Sequence, residues 1–338
     1  MEYYFLLPVA FLLSFTGTLG IVQLARKRHW LDHPNARSSH HIPTPTGGGV
    51  SFVLVFVVLS LLVFKGEESH FSLLPALSIC CCIAALGLLD DIFKLGILTR
   101  IFTQCLVVAG VLVFFGVPSI PMPGFILEAD WLLTVPVAIC TLWFINLFNF
   151  MDGIDGFAGS EFLFIVLSAV FIMFDQEAHQ FSYFLLIACA SVSGFLVLNL
   201  SPAKIFMGDI GSNFLGLFIA MAAIASSVMG LANIWMWLVL GGVFICDASF
   251  TLVSRMMNGE TWYHAHRRHA YQLATQYFNS HGKVVASAQL INLFWLFPLA
   301  WVIQQSPHLG FFLTVLAWLP LFLLSWMIGS SRLFRLPS

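Results

Sequence analysis

Hydrophobic residues in this chain run in blocks long enough to cross a bilayer, and polar residues collect in the gaps between them. Taking about 20 apolar residues as one crossing, eleven blocks qualify, at about 3 to 25, 47 to 64, 71 to 89, 101 to 117, 131 to 150, 157 to 174, 181 to 200, 213 to 229, 234 to 253, 285 to 304 and 309 to 330. The pattern predicts an all-α, polytopic integral membrane helical bundle with about 11 transmembrane helices, 10 being the alternative count. No repeat, low-complexity tract or linker marks a second domain, so 1–338 reads as one transmembrane domain. The first block lacks a positive leader and a small-residue cleavage site, and is expected to be a membrane anchor.

Basic residues set the expected orientation, because cytoplasmic loops hold the excess. With the amino terminus periplasmic and the carboxy terminus cytoplasmic, 13 of the 14 lysines and arginines fall on the cytoplasmic side, leaving Lys65 outside. The polar stretches 26–46, 90–100, 149–156, 199–213 and 255–283 then all land on one face, where the active-site loops are expected.

Composition agrees: 59% of the 338 residues are hydrophobic and 9% charged, with mean hydropathy +0.94, outside the range of soluble globular chains. With a net charge of -2 and no basic run longer than Arg26-Lys27-Arg28, nothing suggests a nucleic-acid-binding surface. The seven cysteines lie inside apolar blocks without CxxC spacing and read as packing residues.

A carboxylate at the edge of hydrocarbon needs water, a cation or a metal. Asn149, Asp152 and Asp155 sit between two crossings, with Asp152 and Asp155 spaced i,i+3 and Gly153 and Gly156 relaxing the backbone for close approach of a ligand. They read as the wall of a polar pocket at a membrane face. Asp90 and Asp91 end the third crossing; adjacent acids repel unless a cation or proton lies between them, which suits a metal or general-base site, while the plain alternative is a solvated acidic pair answered by Lys94.

Between crossings seven and eight, Pro202 stops a helix and Asp209 to Asn213 could cap the next one. Lys204 and Phe206, with Asp209, would there suit a phosphate, a base to stack and a metal. Arg37 and Thr46, in the hydroxyl-rich and glycine-rich loop before crossing two, could hold an anion. His264, His266 and His269 match no zinc spacing, and Arg267 and Arg268 oppose a cation, so phosphate or sugar binding is the better reading of that loop. Asp247 lies about 9 Å inside crossing nine, at 1.5 Å per residue, and needs a partner the sequence does not name.

Asp90-Asp91-xx-Lys94, Asn149-xx-Asp152-Gly-xx-Asp155-Gly156, and Asn199 ahead of Gly208-Asp209-xx-Gly211-Ser212, in that order at crossing ends, resemble the polyprenyl-phosphate N-acetylhexosamine-1-phosphate transferases. The resemblance runs from Asp32 to about Gln272. It implies attack of undecaprenyl phosphate on the β-phosphorus of a UDP-N-acetylaminosugar, releasing UMP, at the bacterial inner membrane, with Mg2+ required and Mn2+ as the substitute. By position it implies Asp209 and Asp91 as metal ligands and Asp90, Asp91, Asp152 and Asp155 as the catalytic set, with Asp90 either base or lipid-phosphate organiser. It also implies Asn149, Asn199, Phe206, Lys94, Lys204, Arg37, Thr46, His266, Arg267 and His269 as substrate contacts, with Phe206 stacking on uracil. A homodimer is left open.

Many relatives carry His-x-His-His where this chain reads His269-Ala270-Tyr271-Gln272, and an early lysine is replaced near His41. The first change resembles the O-antigen and outer-core initiators that use 6-deoxy-aminosugars, so N-acetylfucosamine or N-acetylquinovosamine is the expected sugar, with N-acetylglucosamine the alternative. The rival class is a transporter or lipid flippase, whose acids belong near the midplane rather than at one lip.

Overall fold

The computed structural model describes residues 5–34, 42–64, 73–174, 179–260 and 267–330. Fourteen α-helices occur among them: α1 (Leu6–Arg28), α2 (Gly49–Val63), α3 (Leu73–Phe93), α4 (Ile97–Phe115), α5 (Trp131–Met151), α6 (Phe157–Ile172), α7 (His179–Asn199), α8 (Asp209–Val228), α9 (Ile234–Leu240), α10 (Gly242–Met257), α11 (Ala270–Phe278), α12 (His281–Ile291), α13 (Phe297–Gln305) and α14 (Gly310–Ser330). Each of the eleven apolar blocks is helical, so the expected polytopic helical architecture holds. Two small antiparallel pairs accompany the helices: β1 (Leu31–Asp32) with β2 (Thr44–Pro45), and β3 (Ile120–Met122) with β4 (Phe125–Leu127).

The blocks are not equivalent crossings. Among the described residues, eight helices are long and apolar enough to span, counting α12 to α13 as one, and nine if the α9–α10 pair is a single span. With 15 and 16 residues, α2 and α6 reach only about 23 Å, short of a hydrocarbon core of about 30 Å. The ninth block bends by 75° between α9 and α10. Gly241 and Gly242 stand at the break, where a Cβ on Gly242 would come within 3.2 Å of Leu296 and 3.3 Å of Trp318. Two adjacent glycines make the turn conformationally cheap and let neighbouring helices close around it. Asn292–Leu296 between α12 and α13 is π-helical, and Pro298 just beyond has no N–H to continue the regular ladder.

Helix α8 is the axis of the bundle, buried along almost its whole length and packed by α2, α3, α4, α5, α6 and α9. Lipid tails are as apolar as these side chains, so close packing rather than transfer from water holds such a core together. Small residues make it possible: the Gly87 Cα of α3 abuts the Asp209 and Ile210 backbone, and Gly216 abuts Ile145 and Phe144 of α5. On the α2 and α7 side, Phe52, Phe56, Phe184, Phe214 and Phe218 pack with ring centroids 5.1 to 5.9 Å apart, the spacing of favourable aromatic pairs. This packing fixes the start of α8 against the ends of α3 and α5, where the polar motifs meet.

Candidate active site

Helix α8 begins at a glycine with φ 76°, Gly208, whose missing side chain leaves room for Asp91: a Cβ there would stand 2.6 Å from the Asp91 carboxylate. Asp91, from the end of α3, accepts the backbone N–H groups of Asp209 at 3.0 Å and Ile210 at 3.3 Å. It caps α8 across the bundle, a favourable place for an anion because the first amides of a helix lack internal partners. Asp209 follows in the first turn. Its carboxylate accepts Nδ2 of Asn149 at 2.7 Å, and the same amide reaches Ser212 Oγ at 3.0 Å.

Asp90, beside Asp91, is buried and already paired: its carboxylate accepts the Leu95 N–H at 2.7 Å and lies 3.1 Å from Arg100. It also comes within hydrogen-bond reach of Asp209, an arrangement two ionised carboxylates hold only around a shared proton or a cation. Asp152 completes the group from the end of α5. Burial, then the like charges of Asp209, Asp91 and Asp155, push its carboxyl well above the usual carboxylate range. Four acids from three separate helices therefore converge at one end of an apolar bundle.

That charge pattern is the fit test for a divalent ion. Among the described residues no three carboxylate, histidine or cysteine side chains form a ready-made cage. Mg2+ does not require one, since it commonly takes one or two carboxylates and completes its shell with water and substrate phosphates. Asp209 and Asp91 fit that sparse donor set, with Asp152 adding negative charge beside them.

The model of glycosyl transferase family 4 matches residues 73–227, which run from α3 through α8 and carry every one of these acids. Over that stretch the chain is similar to glycosyl transferase family 4. Its relatives include phospho-N-acetylmuramoyl-pentapeptide-transferases of Streptococcus agalactiae, 29% identical over 227 residues, and Streptococcus pyogenes, 31% identical over 228 residues; each match covers 62% of this chain and 66% of the relative. A decaprenyl-phosphate N-acetylglucosaminephosphotransferase of Mycobacterium leprae is 29% identical over 304 residues, 80% of this chain and 75% of the relative.

The remaining polar residues of the sequence reading take several places. Asp155, near enough to Asp152 for their charges to interact, accepts the Ala203 N–H at 3.1 Å and lies 3.2 Å from Nδ1 of His281. Burial acts to raise its carboxyl, but the hydrogen bond and charge of His281, with the Ala203 amide and Ser201, carry it below the usual range. Asn199 is buried and acts as a strut, accepting the Gly156 N–H at 3.1 Å and donating to the Ile205 carbonyl at 2.9 Å. Phe206 is half-buried in an extended ladder with the loop before α2: its N–H donates to the Pro45 carbonyl at 2.8 Å and its carbonyl accepts the Gly48 N–H at 2.9 Å. Thr46, also half-buried, lies within that ladder.

Lys94 is exposed at the end of α3, near enough to Asp91 for attraction, and Lys204 is exposed in the α7–α8 loop. Arg267 is half-buried, whereas Arg255 and Arg268 pair with Glu260. Buried His269 starts α11, its ring stacked on Phe150 and Tyr271. Arg37 and His266 lie outside the described residues.

Asp247 has a clear partner: it accepts the backbone N–H of Ala270 at 2.8 Å and of Tyr271 at 2.9 Å, capping α11 as Asp91 caps α8. Sequence reading did not assign Arg100 and His281, the partners of Asp90 and Asp155. Arg100 stood in a polar stretch beside the acids, which was a usable signal; His281 had none, because its pairing spans 126 positions.

Proposed function

We propose that this chain transfers an N-acetylaminosugar-1-phosphate from a UDP-sugar to undecaprenyl phosphate, releasing UMP and starting assembly of an O-antigen or lipopolysaccharide-type glycan. The carrying observation is the meeting of Asp90, Asp91, Asp152 and Asp209 at one end of an apolar bundle. One substrate of such a reaction lives in the membrane and the other in water, and an acidic lip on a helical bundle is open to both. The streptococcal and mycobacterial relatives, a pentapeptide transferase and a polyprenyl-phosphate sugar phosphotransferase, support the same reaction class.

In the proposed reaction an oxygen of the lipid phosphate forms a bond to the β-phosphorus, the bond from that phosphorus to the bridging oxygen breaks, and UMP leaves with the electron pair. Phosphoryl transfer between anions is mainly a matter of positioning and charge neutralisation. Mg2+, or Mn2+ in its place, would be held by Asp209 and Asp91 and would supply positive charge to the diphosphate. Asn149 orients the Asp209 carboxylate through Nδ2, and Asp91 holds the α8 amides. Arg100 pairs with Asp90 beside the cluster, and Phe206 offers a half-buried ring for the uracil. The bacterial inner membrane, with the site on its cytoplasmic face, is the location this chemistry requires.

The proposed donor is a UDP-6-deoxy-N-acetylaminosugar of the N-acetylfucosamine or N-acetylquinovosamine type, with UDP-N-acetylglucosamine as the alternative. Tyr271 and Gln272, in place of a histidine pair, support it. Purified protein is assayed for radiolabelled UMP release with undecaprenyl phosphate and a panel of UDP-sugars. Release with a 6-deoxy donor is the expected result; exclusive use of UDP-N-acetylmuramoyl-pentapeptide overturns the sugar assignment, and no release with any donor overturns the reaction.

A further inference from the structure

The short helix α11 is pinned at its start and carries one side chain into the turn that presents Asp152. The two oxygens of Asp247 each accept a backbone N–H, from Ala270 and from Tyr271, and Thr251 Oγ1 steadies the same carboxylate at 3.2 Å. This leaves little freedom at the α11 N-terminus. From that fixed base the Tyr271 ring packs 5.1 Å from Phe157, and its hydroxyl donates to the Phe150 carbonyl at 2.9 Å. Gly153 abuts the same hydroxyl. One buried hydroxyl thus meets the backbone on both sides of Asp152, bonding to it at Phe150 and packing against it at Gly153.

The fit is close. A Cβ built on Gly153 would overlap the Tyr271 hydroxyl and come within 3.2 Å of the Gln272 amide nitrogen. Only a residue without a side chain lets the turn and the tyrosine meet. Phe150 and Gly153 are otherwise the loose end of α5, because the Asp152 N–H makes only a long 3.4 Å bond to the Asn149 carbonyl. The carboxyl group they carry stands among the like-charged Asp209, Asp91 and Asp155.

We propose that Tyr271 is a positioning residue for the transferase site, holding the Phe150–Gly153 turn so that Asp152 stays among Asp90, Asp91 and Asp209. The inference rests on the reading of that acid cluster as the reaction centre. Tyr271 touches neither substrate nor reacting atoms in this scheme; it acts through the turn. It also gives the Tyr271 position a task in this chain distinct from that of a histidine.

The test compares wild type, Tyr271→Phe, Gly153→Ala and the double variant, all as full-length protein in detergent. Two readouts are taken: steady-state UMP release, and amide hydrogen exchange of the peptide covering residues 150–156. Losing the hydroxyl leaves the Phe150 carbonyl unpaired and opens space beside Gly153, which lets the turn shift, so Tyr271→Phe is expected to lower kcat about tenfold, with KM for undecaprenyl phosphate within about twofold of wild type. Exchange of the 150–156 peptide should rise at least about threefold, while a peptide from α8 stays unchanged. Gly153→Ala, whose added methyl group runs into the Tyr271 hydroxyl and so displaces the same turn, should act likewise, and the double variant should be no worse than Gly153→Ala alone.

Unchanged exchange in Tyr271→Phe overturns the proposal, as does a loss that multiplies in full with that of Gly153→Ala. If Tyr271→Phe does not fold, Gly153→Ala carries the test alone, and wild-type kcat and exchange there overturn the proposal. Inactive wild type with increased exchange in the variants leaves the strap intact and counts against the transferase reading instead.

Discussion

Asp91 Oδ1 accepts the backbone N–H of Asp209 at 3.0 Å, so one acid of the site holds in place the helix that carries another. The two residues are 118 positions apart, and their exchange by asparagine should have opposite structural consequences. Asp91→Asn puts an NH2 group against an amide and removes the negative charge from the α8 N-terminus, a loss of about 1 to 2 kcal/mol. Asp209→Asn relieves repulsion with Asp90 and Asp152 and keeps an oxygen for Asn149. Both variants are expected to lose at least about a hundredfold in UMP release. Melting in detergent without divalent ions should separate them: Asp91→Asn melts below wild type and Asp209→Asn at or above it. A lowered Tm in both would mean that Asp209 is a structural acid like its neighbour.

Four acids crowded beside two cations, Arg100 and Lys94, predict a response to divalent ions before any substrate is added. A ligand that binds the folded state alone stabilises it by about 2.7 kcal/mol at a hundred times its Kd. Wild-type protein stripped with EDTA should therefore gain Tm on titration with Mg2+ and gain none with K+ at equal ionic strength. Asp209→Asn should lose most of that gain. An identical Mg2+ response in wild type and Asp209→Asn would place the ion elsewhere.

Asp155 and His281 join the α5–α6 turn to the start of α12, with the carboxylate 3.2 Å from Nδ1. The Asp155 carboxyl is held below its ordinary value, so the stabilisation it contributes is present in full above the unfolded carboxylate value of about 3.9. It is lost as pH falls through the lower, folded value. The Tm difference between wild type and Asp155→Asn, measured from pH 7 down to pH 3, should therefore be constant above about pH 4 and shrink below it. A difference that vanishes between pH 7 and pH 5 would contradict this pairing.

The order of elements was readable because hydropathy reports length, and the site was readable because acids at block ends are costly unless used. Asp90, Asp91, Asn149, Asp152 and Asp209 all stand at such ends, and the structure gathers them. What stayed hidden depends on direction rather than length. The 75° bend at Gly241 leaves the apolar block around it unbroken, so it reads as one crossing. Hydropathy likewise could not show that Asp247 turns toward the α11 amides, nor that Asn199 spends both ends of its amide on two loops. A sequence states which residues are polar, but their partners are set by how helices distant along the chain pack around α8.

Glu161 is the one carboxylate of α6, and it is fully buried. Its Oε2 accepts Asn292 Nδ2 at 2.6 Å and Gln289 Nε2 at 3.3 Å, which ties α6 to the π-helical segment. Among the described residues, its Oε1 and the Asn292 Oδ1 have no partner. An amide in place of the acid would satisfy both, since its NH2 can donate to Asn292 Oδ1 while its oxygen keeps the existing bond. Glu161→Gln is therefore expected to fold with a Tm equal to or above that of wild type, whereas Glu161→Ala leaves a cavity and orphans the Asn292 and Gln289 donors, at a cost of about 2 to 4 kcal/mol. Thermal melts of the two variants in the same detergent check this. A Glu161→Gln protein as unstable as Glu161→Ala would show that the charge itself, not the hydrogen-bonded pair, holds α6 against the π-helical turn.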